Sequence, residues 1–263
     1  MTFEVHVTGI GLLGPGFSSW AQARPLLCNP AGWHSTATVV PPPARLPPTE
    51  RRRAGTAVKA ALVVADEAVA QAGVDVTTLA TVFTASSGDP VNCHLLCEAL
   101  AQPPRLVSPT RFTNSVHNAP AGYWHIAAGS QAASTSLAAY DASFGAGLLE
   151  AALQCQATQA PVLLVACDQP YPEPLHTLRP LAAVFAVALV LAPNGGRVLR
   201  LAVGNNLDES DTGCADSGLE TLRLGVPAAR ALPLLWALAH SAAARLVLQG
   251  APGLPLQLEV AAL

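Results

Sequence analysis

At 263 residues with 51% hydrophobic content, the chain can bury a sizeable core, and its length suits one large domain or two small ones. Charged residues are only 12% and the formal net charge is −3, which gives no field to attract nucleic acid, and no basic stretch is interleaved with aromatics. So little charge leaves much of the surface apolar or small, which favours a large partner interface.

The opening "MTFEVHVTGIG" has no basic segment followed by an apolar one, so no export signal is expected; "EVHVTGIGLL" reads as a strand. Gly9, Gly11 and Gly14 satisfy the G-x-G-x-x-G spacing of a dinucleotide site. Pro15 and Gly16 break the helix that such a site needs, and no acidic residue follows about 20 positions on, so a nucleotide role is set aside. The strand leads into "VVPPPARLPP" (39–48), a stiff polyproline-like connector. "TERRRAGTAVKAALVVADEAVAQAG" predicts one long helix with Thr49 as N-cap and Gly73 as C-cap. Arg51, Arg52 and Arg53 would then crowd the helix N-terminus, where the dipole disfavours cations. They are either a solvated first turn or the meeting place for an anion, such as an acidic carrier protein or its phosphopantetheine arm.

"ATVFTASSGD" predicts a second strand and a polar loop, and "PVNCHLLCEALAQ" a short helix. Cys93 and Cys97 stand one turn apart there with His94 between them. A structural zinc takes about four ligands and no second cluster is spaced to complete the set, so buried thiols and no metal are expected. A loop, "PPRLVSPTRFTNSV", precedes a helix starting near Asn118 or Ala119. "STSLAAYDASFGAGLLEAALQ" (134–154) then predicts a strand, a tight bend at Tyr140–Asp141 and a helix, an elbow whose free N–H groups suit acyl-transfer chemistry.

"APVLLVACDQ" and "LAAVFAVALVLAP" (181–193) are apolar runs of the kind found in strands covered on both faces. The second is too short and too β-branched for a bilayer span. Beyond Asn194 the chain loosens: "GNNLDESDTGCADSGLE" reads as a loop, "ARALPLLWALAHSAAA" contains a helix, and "RLVLQGAPGLPLQLEVAAL" suits a hairpin. Six cysteines without framework spacing point to a reduced, cytoplasmic setting.

Three nucleophile arrangements can be assembled on paper. Ser115, His117 and Asp141 supply triad residue types, but no G-x-S-x-G elbow exists. Cys167 sits beside Asp168, whose charge opposes thiolate formation, which makes it a strand-end or core cysteine. A minimal acyltransferase built on Cys167 or Ser143 is the enzyme alternative.

Taken together, "VTGIGLLGPG", "LPPTERRRAGTAVKAALVVADEAVAQAG", "ATVFTASSGD", "HNAPAGYWHIAAGSQAASTSLAAYDASFGAGLLEAALQ" and "VLLVACDQP" resemble the N-terminal half of a β-ketoacyl synthase. The likeness runs over roughly residues 3–193 in the family's order. It implies an α/β, thiolase-like fold: a half-thiolase layer with a mixed five-stranded sheet and covering helices. Residues 1–263 would form one domain, 1–193 its core and 194–263 a divergent tail. The family carries Cys at the elbow after its third strand, within Thr-Ala-Cys; the matching position here is Tyr140, between Ala139 and Asp141. A phenol with a pKa near ~10 is a poor acyl carrier. The family's second half brings two histidines, whereas here only His240 follows Pro193, in an apolar helix.

These departures imply a chain with no catalytic residue of its own and no cofactor. The resemblance extends to short chain-length factors of type II systems such as those making aryl polyene pigments. Such a chain would pair as a heterodimer with an active β-ketoacyl-ACP synthase and meet acyl carrier protein through that complex. Phe112, Val116 and His117 would line the tunnel or interface, with Ser134, Thr135 and Ser136 on the strand at the dimer centre. A half-length unit would also leave an apolar sheet face to be covered. A homodimer that binds acyl chains or carrier protein is the remaining alternative.

Overall fold

The computed structural model describes residues 2–204, 209–240, 242–251 and 253–262. Strand β1 (Thr2–Leu13) is followed by α1 (Trp20–Cys28), which starts at Ser19, whose side chain accepts the Gln22 N–H. The sequence reading runs from strand to connector without this helix because Pro25 lies inside it. Trp20, Ala23 and Leu27, buried on one face, compensate for the missing hydrogen bond.

The long helix expected over 49–72 is two helices, α2 (Pro48–Arg53) and α3 (Thr56–Ala72). The chain bends at Ala54 and Gly55, and a Cβ on Gly55 would lie 2.4 Å from Asp89 Oδ2, so only glycine fits the bend. The N-caps are Pro47 and Gly55 rather than Thr49, while Gly73 ends α3 in the left-handed region, as the sequence predicts. Arg51, Arg52 and Arg53 therefore occupy the last turn of α2, not the first turn of a long helix.

Next come β2 (Ala80–Thr84), α4 (Pro90–Ala101), α5 (Pro109–Thr113), α6 (Ala119–Ala128), β3 (Ser134–Leu137) and α7 (Ser143–Thr158). β4 (Val162–Asp168), α8 (Leu175–Leu178), β5 (Phe185–Ala192) and β6 (Arg197–Val203) continue the chain. It closes with α9 (Ser217–Gly225), α10 (Leu232–Ala239), β7 (Ala244–Ala251) and β8 (Leu254–Val260). The tail helix and hairpin stand where the sequence places them, apart from Ser241 and Pro252; residues 205–208 of the expected loop also lie outside the described residues.

The strands form one eight-stranded mixed sheet, ordered β3-β2-β4-β5-β1-β6-β8-β7, which corrects the expected five. β2 pairs parallel with β3 and β4, and every other pairing is antiparallel. All three strands beyond β1 come from the tail. Two of them are the hairpin the sequence suggests; the third, β6, is "RVLRLAV", a short alternation whose Arg197 binds backbone and whose Arg200 faces outward, and the sequence reading leaves it unassigned. β4 and β5, read as continuous apolar runs, are buried along their full lengths.

The chain's own helices cover the central strands β4 and β5 on both faces, while the open face of β6, β8 and β7 carries Arg200, Arg245, Gln257 and Glu259, so the expected bare apolar face is not found. α3 and α6 seal one face against Leu163, Val165, Ala188 and Val190. α1, α7, α9, α10 and the 3₁₀ turn at Pro227–Ala231 pack on the other, against Leu164, Val187, Leu199 and Leu258. Gly9 and Gly11 serve this packing: a Cβ at either would lie about 2 Å from the carbonyl oxygens of Ala68 or Val64, so α3 rests directly on the β1 backbone.

Candidate functional site

β3 delivers the chain to a turn at Tyr140–Ala142, from which α7 departs. Tyr140 has φ +53, a left-handed conformation unusual for a bulky aromatic residue. Ser143 spans it: the Ala139 N–H donates to Ser143 Oγ at 3.0 Å, and that hydroxyl donates to the Tyr140 carbonyl at 2.7 Å. The Arg179 guanidinium lies 3.5 Å from the Tyr140 ring centroid and pairs with Asp141 at 2.9 Å. Arg179 is held above its ordinary pKa by Asp141, against the cost of its burial.

The tail builds the opposite wall. A Cβ on Gly145 would lie 2.0 Å from the Gln249 carbonyl oxygen, so the first turn of α7 is pressed against β7. Between them opens a cleft of about 280 Å³, lined by Tyr140, Asp141, Phe144, Leu248, Asp211 and Arg230.

Behind the cleft is an ionic network with no signal in the sequence, where Asp211 and Glu220 fall in the segment that reads as loop and Arg223 and Arg230 beyond it. Arg223 is 4% exposed, makes two 2.7 Å bonds to Glu220 and approaches Asp211 at 3.7 Å; Arg230 meets the same Asp211 oxygen at 3.3 Å. Arg223 holds the Glu220 carboxyl down to about 2, and the Cys214 N–H adds a 2.7 Å bond. Burial, reinforced by Glu220, pushes the Cys214 thiol up to about 12.

A depressed carboxyl stabilises the fold fully above its ordinary pKa of 4.5, and that contribution disappears as pH falls through about 2. Glu220→Gln should therefore melt well below wild type near neutral pH. The gap between their melting temperatures should close as pH falls from 4.5 towards 2, as scanning calorimetry across that window would show.

The remaining candidates separate. Cys167 is 4% exposed, points at the Ala57 carbonyl 3.5 Å away, and has its pKa raised by burial and then by Asp168. Asp168 is itself buried and accepts from the Ser86 N–H and hydroxyl and from the Ala228 N–H; burial raises its pKa while these donors oppose the rise. Ser143 is buried with its hydroxyl committed to the turn. Ser115 donates to the Phe112 carbonyl, and His117 Nε2 lies 3.2 Å from the Ala85 carbonyl, so the paper triad has its members tied to other partners.

His117 also closes a small apolar cavity of about 20 Å³ against Ala57, Phe83, Val165 and Cys167. Phe112 and Val116 are 68% and 51% exposed, on and after α5. On β3, Ser134 accepts from Thr81 and Thr135 from Gln154, with Ser136 half-buried; β3 is an edge strand. Arg51 is taken up by the Ala44 and Leu46 carbonyls and Arg53 by Glu50. Arg52, Arg53 and Arg111 line an open cleft of about 620 Å³ that also holds Asp89.

Cys93 and Cys97 are exposed rather than buried, because α4 packs only Pro90 and Asn92 inward. Among the described residues, no group of three or more His, Cys, Asp and Glu side chains could hold a metal ion. His240 caps α10, with Nδ1 2.9 Å from the Trp236 carbonyl and its ring against Trp236. Among the described residues no helix is long and apolar enough to cross a membrane.

An α/β sheet whose third strand runs through a constrained elbow into a buried helix defines a protein of the thiolase-like ketosynthase class. The profile of the family described as β-ketoacyl synthase, N-terminal domain matches residues 20–245, and the chain belongs to that family. Among curated proteins no relative matches. In solved structures the fold is similar to that of the ketosynthase (ApeO) in complex with its chain length factor (ApeC) from Xenorhabdus doucetiae, at TM-score 0.72 and 22% identity, covering 98% of each chain. The ishigamide ketosynthase/chain length factor gives TM-score 0.71 at 13% identity over 99% of each chain. AntDE:AntF, a type II PKS acyl-carrier protein in complex with its ketosynthase, gives 0.74 at 13% over the whole of both chains.

Proposed function

We propose that this chain is a non-catalytic chain-length-factor subunit that pairs with an active β-ketoacyl-ACP synthase and shapes its acyl tunnel in type II fatty acid or polyketide synthesis. The observation that carries the reading is Tyr140, which occupies the elbow where the family places its thiol. Claisen condensation passes through an acyl thioester on a thiolate at a helix N-terminus. Here the sequence has no cysteine between Cys97 and Cys155, and both Cys155 and Cys167 are buried. Likeness to ketosynthase–chain length factor complexes supports the same reading.

In this reading the partner supplies the thiolate and histidines. Ser134, Thr135 and Ser136 meet it along the edge of β3, while Phe112, Val116 and His117 lie beside the tunnel. Arg52 and Arg53, joined by Arg111, face the acidic carrier protein, whereas Arg51 holds the connector before α2 in place. No cofactor is needed, residues 1–263 act as one unit, and the pair works in the cytoplasm.

Co-expression with a ketosynthase from the same genome tests the proposal. With a tag on this chain alone, the two should copurify in equal amounts, and malonyl-thioester condensation should require both. Turnover by the purified chain alone, or no association with the ketosynthase, would overturn it.

A further inference from the structure

We infer that Tyr140 is the anchor of the subunit interface: a rigid aromatic post, braced by Arg179, that inserts into an apolar recess of the ketosynthase. This rests on the heterodimer reading above and assigns the old nucleophile position a new task, in adhesion rather than chemistry.

The argument starts from strain. A turn that only reversed the chain would relax to glycine or asparagine at a left-handed position, since an aromatic Cβ is disfavoured there. Tyr140 nevertheless holds φ +53. The two Ser143 hydrogen bonds fix the backbone on either side of it, and Ser143 is in turn fixed by Thr84, whose hydroxyl donates to the Ser143 carbonyl at 2.9 Å. The Asp141–Arg179 pair sets the guanidinium and the guanidinium sets the ring. A conformation determined from so many sides is a preserved one.

What it preserves is the direction of the ring. Arg179 covers one face, yet Tyr140 remains 60% exposed, so much of the side chain is still open to a partner. The short helix that delivers Arg179 adds two more exposed apolar side chains, Leu175 and Leu178. Tyrosine and arginine ringed by apolar contacts are the usual composition of an interface hot spot, and a pre-set rotamer loses little freedom on binding.

The place favours a protein occupant over a small ligand. The adjoining cleft, at about 280 Å³, stands at the lower edge of the size range of ligand pockets. Tyr140 also stands three residues beyond Leu137, the last residue of the edge strand β3, so it lies close in the chain to the edge that a pairing subunit would use.

Binding of purified ketosynthase to the immobilised chain, measured by biolayer interferometry, tests this with Tyr140→Ala, Tyr140→Gly, Tyr140→Phe and Arg179→Gln. Tyr140→Ala and Tyr140→Gly should weaken Kd by about 30-fold or more, Tyr140→Phe by much less, and Arg179→Gln in between. Tyr140→Gly relieves the left-handed backbone, so its melting temperature should match or exceed wild type while its binding is lost; this separates adhesion from folding. Wild-type binding with undiminished affinity in Tyr140→Gly and Tyr140→Ala overturns this inference and leaves the heterodimer intact. Absence of wild-type binding overturns the heterodimer reading and this inference with it.

Discussion

Asp168→Ala should lower the stability of the fold by about 3 to 5 kcal/mol, read from urea unfolding of the purified chain. The carboxylate ends β4 and is 2% exposed. It holds the Ser86 N–H at 2.8 Å, the Ser86 hydroxyl at 2.7 Å and the Ala228 N–H at 2.9 Å. It thereby ties the loop after β2 to the 3₁₀ turn at Pro227–Ala231 on the tail side. Alanine leaves the buried Ala228 N–H and the half-buried Ser86 N–H without an acceptor, at roughly 1 to 3 kcal/mol each, and opens a small void. Domains of this kind hold only about 5 to 15 kcal/mol in reserve, so soluble yield should fall as well. An unchanged unfolding midpoint would show that the Asp168 cluster is not what joins the two segments.

Phe112→Ala should behave in the opposite way, leaving the chain's own stability within about 0.5 kcal/mol of wild type while shifting the product spectrum of the assembled complex by tenfold or more. The side chain is 68% exposed, on a helix of five residues capped by Ser108, so the chain's own core loses little with it. Against a tunnel, one aromatic ring gained or lost is worth about 1 to 3 kcal/mol between product lengths. The readouts are thermal melting of the free chain and mass analysis of the acyl products. An unaltered distribution would remove Phe112 from the tunnel wall.

The parts of this fold that could be read from sequence are those that one periodicity or one cap dictates. β4 and β5 announce themselves as unbroken apolar runs because they are covered on both faces. Gly73 marks its helix end because its φ of 65 suits glycine. The elbow was legible as strand, bend and helix, but the strain at Tyr140 was not, since nothing local to "AAYDAS" announces Arg179 thirty-nine residues on. The break at Gly55 is hidden for the same reason: the side chain that crowds the bend, Asp89, lies thirty-four residues on. The tail misled most. Its hairpin is legible, but β6 alternates over too few residues to stand out, and the Arg223–Glu220–Asp211–Arg230 network becomes visible only once α9 folds over the cleft.

The position of β1 sets a schedule for making this protein. Of the strands in this sheet it is the first to be synthesised, yet it lies between β5 and β6, so neither of its neighbours exists until residues 185–203 have been made. Throughout that interval a twelve-residue strand has no hydrogen-bonding mate, and the sheet must be completed backwards onto its earliest-made strand. A stalled translation or a truncation before β5 therefore leaves β1 without either of its pairing strands, and a chaperone that holds this segment should matter more for yield than any help given to the tail.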